Sequence, residues 1–125
     1  MEIINSNVIT QFANVDKGCR VTPFRWRGLN INVRYSLDLR ESLAFIDNVI
    51  SACTDADTGD LHIEMLDLIT RANVVTMFTN IELPADLETL HKILYWTDLY
   101  GEIVSRINES QLESLKKTIE RYVLN

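Results

Sequence analysis

Apolar and polar residues alternate without interruption between positions 29 and 37, and this is the strongest secondary-structure signal in the chain. Every second residue is Leu, Ile, Val or Tyr, so an extended strand here would have one apolar face. A second strand is predicted over 19–27, with Gly28 as the turn between the two. Pro23 has no ladder donor, so we expect this second strand to lie at a sheet edge or to carry a bulge.

A weaker strand pattern precedes these two. The run Val8-Ile9-Thr10-Gln11-Phe12 is apolar enough to form a strand, and Asp16-Lys17-Gly18 supplies a turn after it. Residues 1–37 are therefore predicted to form two or three antiparallel strands.

At Asp38 the spacing of apolar positions changes from two residues to about 3.6, as in an amphipathic helix. Asp38 and Glu41 form a capping-box pattern, which predicts a first helix over 39–54. Its apolar stripe comprises Leu39, Leu43, Ile46, Ile50 and Cys53. The polar stretch 54–60 is predicted to be a solvated loop, because it begins like a calcium-binding loop but lacks the required Gly and bidentate Glu.

A second helix is predicted from Leu61 to Asn80, because apolar residues recur at helical spacing and Asn80 suits a C-cap. A fourth helix is predicted to begin with Asn108 as its N-cap, because Gln111 follows as the third helical residue. Its predicted inward-facing residues are Leu112, Leu115, Ile119 and Tyr122 or Val123.

A third helix is predicted after Pro84, running to position 107 with two adjacent apolar stripes. So wide an apolar face requires cover from two neighbouring elements. The small residues Thr97 and Gly101 predict a close approach by another element, and a kink or break at Gly101 is the alternative.

These elements predict an α+β, mainly helical fold: a short N-terminal antiparallel β unit followed by a body resembling a four-helix bundle. The 125 residues fit a single domain. Charge is distributed unevenly along the domain. Residues 1–37 hold five basic and two acidic side chains, a net charge of +3. Residues 38–125 hold seven basic and sixteen acidic side chains, a net charge of −9. A basic segment of this kind is expected to rest on an acidic body, its own or a neighbour's.

Composition narrows the class of protein. Apolar residues make up 46% and charged residues 24%, which excludes disordered and collagen-like chains, and no stretch is long enough for a membrane span. The chain has two cysteines and no signal-peptide pattern, which favours a cytoplasmic location. If the chain is phage-encoded, this location would be the host-cell cytoplasm or the virion. Direct nucleic-acid binding is not expected, because the acidic remainder would repel phosphates.

No residue pattern in the chain indicates catalysis. His62 and His91 lack the further ligands that a zinc site needs, so we read them as partly exposed helix residues. Cys19 and Cys53 are far apart in sequence, and Cys53 falls on an apolar stripe, as structural thiols do. Phosphate-binding loops and nucleophile elbows are absent. We therefore expect a non-enzymatic protein without metal, cofactor or small-molecule substrate; an enzyme with an unrecognised site is the weakest alternative.

Two groups of residues are candidates for partner binding. The first is a cationic and aromatic set on or near the predicted hairpin, because Trp and Arg are enriched at binding hot spots; it comprises Arg20, Arg25, Trp26, Arg27 and Arg34. The second is the Trp96 and Tyr100 stripe of the third helix. Packing inside the monomer is the favoured interpretation of this stripe, because a bundle helix usually spends its apolar face internally.

The order of a basic β segment, an alternating strand and helices that include Thr79-Asn80-Ile81-Glu82-Leu83-Pro84 resembles small accessory proteins of bacteriophage head and tail gene clusters. The closing stretch Gln111-Leu112-Glu113-Ser114-Leu115-Lys116-Lys117 adds to that resemblance. The resemblance covers about half of the chain and implies a virion or assembly component that acts through protein contacts.

Two functional hypotheses follow. In the first, a structural or assembly protein docks its basic, aromatic β segment on the acidic face of a protein partner or of another copy of itself. In the second, a small acidic inhibitor or adaptor occupies a basic, nucleic-acid-binding groove of a host protein. The first needs an exposed hairpin, and the second needs carboxylates gathered on one face.

Overall fold

A computed structural model describes residues 1–13 and 20–124. The elements are α1 (Ser6–Thr10), β1 (Val21–Trp26), β2 (Leu29–Arg34), α2 (Leu39–Cys53), a 3-10 turn (Ile63–Met65), α3 (Leu66–Phe78), α4 (Leu87–Trp96), α5 (Leu99–Val104) and α6 (Glu109–Leu124). The α+β, mainly helical fold is confirmed. None of the helices in the described ranges has the length and apolar character needed to cross a membrane.

The two strands pair in antiparallel register as the alternation predicts, from Val21 opposite Arg34 to Trp26 opposite Leu29. Arg27 (φ 48°) and Gly28 (φ 82°) connect them. Positive φ at both central residues is the mark of a type I′ turn, whose twist matches that of the flanking strands. The inward-facing Ile31 and Val33 of β2 are buried in the core.

The predicted strand over 8–12 is wrong, because the chain forms helix α1 there. The Asn5 side chain accepts a hydrogen bond of 3.1 Å from the Val8 N–H and so caps the helix. Every residue of α1 is exposed, including Val8 and Ile9. The predicted turn at 16–18 and Cys19 lie outside the described residues.

Helix α2 begins at the predicted capping box, in which Asp38 accepts from the Glu41 N–H at 2.8 Å. Its buried face differs from the predicted stripe. Phe45 and Val49 are fully buried with Cys53, whereas Leu39 and Leu43 remain exposed. The helix has two apolar faces, and residue spacing alone does not show which of them is buried. The face with Phe45 packs on α3, where the ring centres of Phe45 and Phe78 lie 6.5 Å apart in an edge-on arrangement.

The loop after α2 is confirmed, and its ends are joined by a bridge between Thr54 and Leu61. The second helix starts later than predicted, because a 3-10 turn precedes α3. Its C-cap is Thr79, so the assignment of that role to Asn80 is wrong.

Side-chain amides join β2 and the segment after it to the helical part of the chain, beside a backbone bridge between Val33 and Thr79. Asn80 Oδ1 accepts from the Asn32 N–H at 2.9 Å, and its Nδ2 donates to the Asn30 carbonyl at 3.4 Å. Gln111 bonds both the N–H and the carbonyl of Leu37 at 2.8 Å. The Asn108 Oδ1 caps α6 as predicted, accepting from the Gln111 N–H at 3.2 Å, and α6 buries the predicted residues, with Val123 rather than Tyr122 inward.

The predicted third helix is two helices, α4 and α5, separated at Thr97 and Asp98. The break turns Leu99 into the core, a residue on neither predicted stripe. It does not occur at Gly101. The predicted close approach at Gly101 is also wrong, since a Cβ there would meet no atom of the described residues within 4 Å.

Candidate interaction cleft

An open cleft of about 480 Å³ lies between the tip of the β1–β2 hairpin and the α4–α5 junction. The hairpin contributes Phe24, Arg25, Trp26 and Arg27, and the helical side contributes Trp96, Thr97, Asp98, Glu102 and Arg106. Four residues predicted from the sequence therefore meet in one place: Arg25, Trp26, Arg27 and Trp96.

Trp26 anchors the hairpin to the helices. Its indole N–H donates a 2.8 Å hydrogen bond to Asp98 Oδ1. Asp98 precedes α5 but makes no side-chain cap there; instead the Leu99 N–H donates to the Thr97 hydroxyl at 3.3 Å. The Arg27 guanidinium lies 4.7 Å from the centre of the Trp26 ring, a cation–π distance.

Arg106 fixes the far wall of the cleft. Its guanidinium lies 4.1 Å from the centre of the Phe24 ring and makes a 2.9 Å ion pair with Glu102, four residues earlier. Stacking and the ion pair hold the Arg106 guanidinium in place, and Glu102 balances its charge.

The rim of the cleft carries cations without a carboxylate partner. Arg25 and Arg27 are exposed, and neither forms an ion pair with a residue in the described ranges; Arg25 donates to the Gly28 carbonyl at 3.2 Å. Trp96 is 71% exposed, with the Lys92 ammonium 5.3 Å from its ring centre. The favoured interpretation of Trp96 as packed inside the monomer is thus wrong, because the helix breaks directly after it.

Arg20 and Arg34 lie at the other end of the hairpin, six residues or more from the turn. Arg34 forms a two-pronged ion pair with Glu41, with one contact at 2.6 Å. This hydrogen-bonded arginine lowers the pKa of the Glu41 carboxyl to about 2. The Arg20 guanidinium lies 5.3 Å from the centre of the Tyr35 ring. The structure therefore does not bring these two arginines to the cleft.

Tyr100 belongs to a separate cluster between α3 and α5. Arg71 lies 4.8 Å from the centre of its ring and 4.2 Å from that of Tyr95. Asp67 pairs with Arg71 at 2.9 Å and accepts from the Tyr95 hydroxyl. The Tyr100 hydroxyl is buried without a hydrogen-bond partner among the described residues, and burial raises its pKa. Packing inside the monomer accounts for Tyr100.

His62 lies in the loop before the 3-10 turn and not in a helix, which corrects the prediction for it. Its ring nitrogens lie 3.5 Å from Asp55 Oδ2 and 3.3 Å from Glu64 Oε1, and the hydrogen bond to Asp55 raises its pKa. No three His, Cys, Asp or Glu side chains of residues 1–13 and 20–124 converge as metal ligands would. Cys53 is buried, which raises its thiol pKa.

The outer edge of β1 is poorly suited to receive another strand. Tyr35 N–H donates to the Arg20 carbonyl, and this register turns the backbone groups of Val21, Pro23 and Arg25 away from β2. Pro23, in the middle, has no N–H to donate. Recognition at the hairpin therefore depends on side chains at its tip rather than on strand addition.

Apart from Trp96, sequence reasoning missed the helical side of the cleft: Thr97, Asp98, Glu102 and Arg106. The spacing of Glu102 and Arg106 by four residues is a readable ion-pair pattern, but nothing in the sequence places Asp98 beside a tryptophan 72 positions earlier. No family of known proteins, curated protein or solved structure matches this chain.

Proposed function

We propose that this chain is a non-enzymatic protein–protein interaction component that docks on an acidic surface of a partner protein through the hairpin-tip cleft. The observation that carries the proposal is the convergence of exposed Arg25 and Arg27 with the exposed Trp96 indole around one cleft. Arginine and tryptophan dominate the binding energy of many protein interfaces, because they combine large contact area with directed polar groups.

The charge of the cleft favours carboxylates on the partner. Arg106 is neutralised by Glu102, but Arg25 and Arg27 are not neutralised by any residue in the described part of the chain. Asp98 and Glu102 also line the cleft, so a continuous phosphate backbone would meet repulsion there. Separate carboxylates on a folded protein or peptide can avoid those two acidic groups.

Charge pairing also favours this proposal over the acidic inhibitor. Several carboxylates of the helical body are already engaged within the chain, among them Glu41, Asp67 and Glu102. By contrast, Arg25 and Arg27 at the hairpin tip form no ion pair with a residue in the described ranges.

The exposed N-terminal segment supports a role in assembly. Ile3, Ile4, Val8, Ile9 and Phe12 are all exposed, and a concentration of exposed apolar side chains marks a protein contact. Together with the resemblance to phage accessory proteins, this supports a virion or assembly component.

Intrinsic fluorescence can test the proposal, because both tryptophans of the chain line the cleft. The protein is titrated with short peptides rich in Glu and Asp that carry a Leu or Phe, and with matched Lys-rich peptides. We expect a saturable change in emission with the acidic peptides alone, weakened by salt. The double variant Arg25→Glu, Arg27→Glu should weaken binding about tenfold or more while leaving helical circular dichroism unchanged.

The matched control is Lys116→Glu, Lys117→Glu, which changes the net charge by the same amount on α6, away from the cleft. It should leave binding unchanged. Equal loss in both variants would show that the effect is one of overall charge. Tighter binding of duplex DNA than of every acidic peptide, or no saturable signal from any of them, would contradict the proposal.

A further inference from the structure

One face of α2 is apolar and partly exposed, and it lies about 90° around the helix from the face that packs in the core. Leu39, Leu43, Ile46 and Ile50 follow one another at spacings of four, three and four residues; we call them the α2 seam. Leu39 is 76% exposed and Leu43 58%, and the two isoleucines are half-buried. This spacing is that of helices that pair along their length.

Charged residues of opposite sign border the solvent side of the seam. Arg40 and Asp47 are exposed and seven residues apart, so they lie about 20° from each other around the helix. Neither side chain makes a hydrogen bond or an ion pair with a residue in the described ranges. A partner helix lying on the seam would bring both charges to its edge.

We propose that the α2 seam is a homodimer interface in which α2 of a second copy lies antiparallel to the first. A two-fold axis across the seam sets Leu39 against Ile50 of the second copy, and Leu43 against Ile46 of the second copy. The same axis brings Arg40 near Asp47 of the second copy, twice by symmetry. A parallel arrangement would instead place the charges of the two copies on opposite edges of the seam, where Arg40 and Asp47 could not meet.

The length of α2 limits the size of the interface. Helix α2 has 15 residues, a length of about 22 Å, so the contact is smaller than a standard stable interface. We expect reversible dimers with a dissociation constant in the micromolar range, measurable by sedimentation equilibrium or light scattering up to about 1 mM protein.

Charge exchange tests the geometry. Arg40→Asp alone and Asp47→Arg alone each put like charges together at two symmetric places, and each should raise the dissociation constant about tenfold. The double variant Arg40→Asp, Asp47→Arg should restore dimerisation. Mixing the two single variants should give heterodimers that are tighter than either homodimer, because the two seams are then complementary.

The apolar part is tested with Leu43→Glu, which should abolish dimerisation. Its matched control is Leu87→Glu, a leucine in α4 that is 51% exposed and lies outside the seam. A molar mass equal to that of the monomer at every protein concentration would overturn the proposal. So would single and double charge variants that dimerise equally.

The inference does not depend on the proposed function, because it concerns a different surface. The Arg25→Glu, Arg27→Glu variant should dimerise like the unmodified chain. Loss of peptide binding with intact dimers, or the converse, therefore identifies which of the two proposals has failed.

Discussion

Trp26 and Asp98 are 72 residues apart in sequence, and the indole N–H of one donates a 2.8 Å hydrogen bond to the carboxylate of the other. This bond joins the hairpin tip to the point where α4 ends and α5 begins. Because Arg27 stacks on the same indole, the bond also positions a cation of the cleft. A single contact therefore links the break in the helix to the shape of the binding surface.

Replacing Asp98 with Ala should lower the free energy of unfolding by about 1 kcal/mol, since an exposed charge-assisted hydrogen bond is lost. Trp26→Phe keeps the ring but removes the N–H donor. Urea unfolding of both single variants and the double variant forms a mutant cycle, and we expect a coupling free energy of about 0.5–1.5 kcal/mol.

Asp57→Ala is the matched control for this cycle, because Asp57 is an exposed loop carboxylate whose side chain has no partner among the described residues. Its stability should be unchanged. Additive losses in the Trp26 and Asp98 variants would show that the hydrogen bond does not operate in solution.

Next to an antiparallel bridge between Val33 and Thr79, the Asn80 side chain bonds the backbone at the outer edge of β2. Removing its amide in Asn80→Ala should cost about 1 kcal/mol of stability and accelerate hydrogen exchange at the Asn32 N–H, which bonds Asn80 Oδ1. Asn80→Asp should be destabilised at least as much at neutral pH, because a carboxylate oxygen would then face the Asn30 carbonyl. Exchange measured by NMR reports on the Asn32 amide directly.

Glu82→Ala serves as the control near this edge, since Glu82 is exposed and its side chain has no hydrogen-bond or ion-pair partner in the described ranges. The Glu82→Ala variant should show the same hydrogen exchange at the Asn32 N–H and the same free energy of unfolding as the unmodified chain. Unchanged exchange at Asn32 in Asn80→Ala would mean that this amide is protected by other contacts.

The hairpin and the starts of α2 and α6 could be predicted because local residues determine them. Gly28 permits the positive φ of its turn, and Asp38 with Glu41 caps α2 within three residues. The break at Thr97 and Asp98 was not predicted, and one of its contacts, the hydrogen bond from Trp26 to Asp98, joins residues far apart in sequence. Similarly, apolar spacing in α2 does not tell which of two apolar faces meets the core.

The candidate site was predictable only in part for the same reason. Arg25, Trp26 and Arg27 are adjacent in sequence, so any hairpin brings them together. Trp96 joins them only through the tertiary fold, because it lies 69 residues beyond Arg27 in the chain. Arg34 was a plausible fourth cation by composition, but its geometry beside Glu41 commits it to an ion pair.

Acid should weaken the ion pair between Arg34 and Glu41, which joins β2 to α2. Pairing with Arg34 lowers the pKa of Glu41 to about 2, from an ordinary value of 4.5. A lowered pKa in the folded state adds stability that is present above the unfolded pKa and is lost as the pH falls through the folded one. The partly exposed pair should contribute about 1 kcal/mol at neutral pH.

Urea unfolding of the unmodified chain and of Glu41→Gln between pH 7 and pH 2 measures this contribution. We expect the difference between them to be constant above about pH 5 and to shrink towards zero near pH 2. A difference that stayed the same across the range would assign the effect to helix capping by Glu41 instead of its charge.

Gly101 offers a substitution that should stabilise the protein. It lies in α5 with no atom of the described residues within 4 Å of where a Cβ would be, so Ala can be added without a clash. Since Gly costs a helix interior about 0.5–1 kcal/mol relative to Ala, Gly101→Ala should raise the free energy of unfolding by about that amount. Gly101→Leu should also fold normally, because the added side chain would extend into solvent. Thermal and urea unfolding check both variants, and destabilisation by Leu but not by Ala would show that another element covers this face of α5.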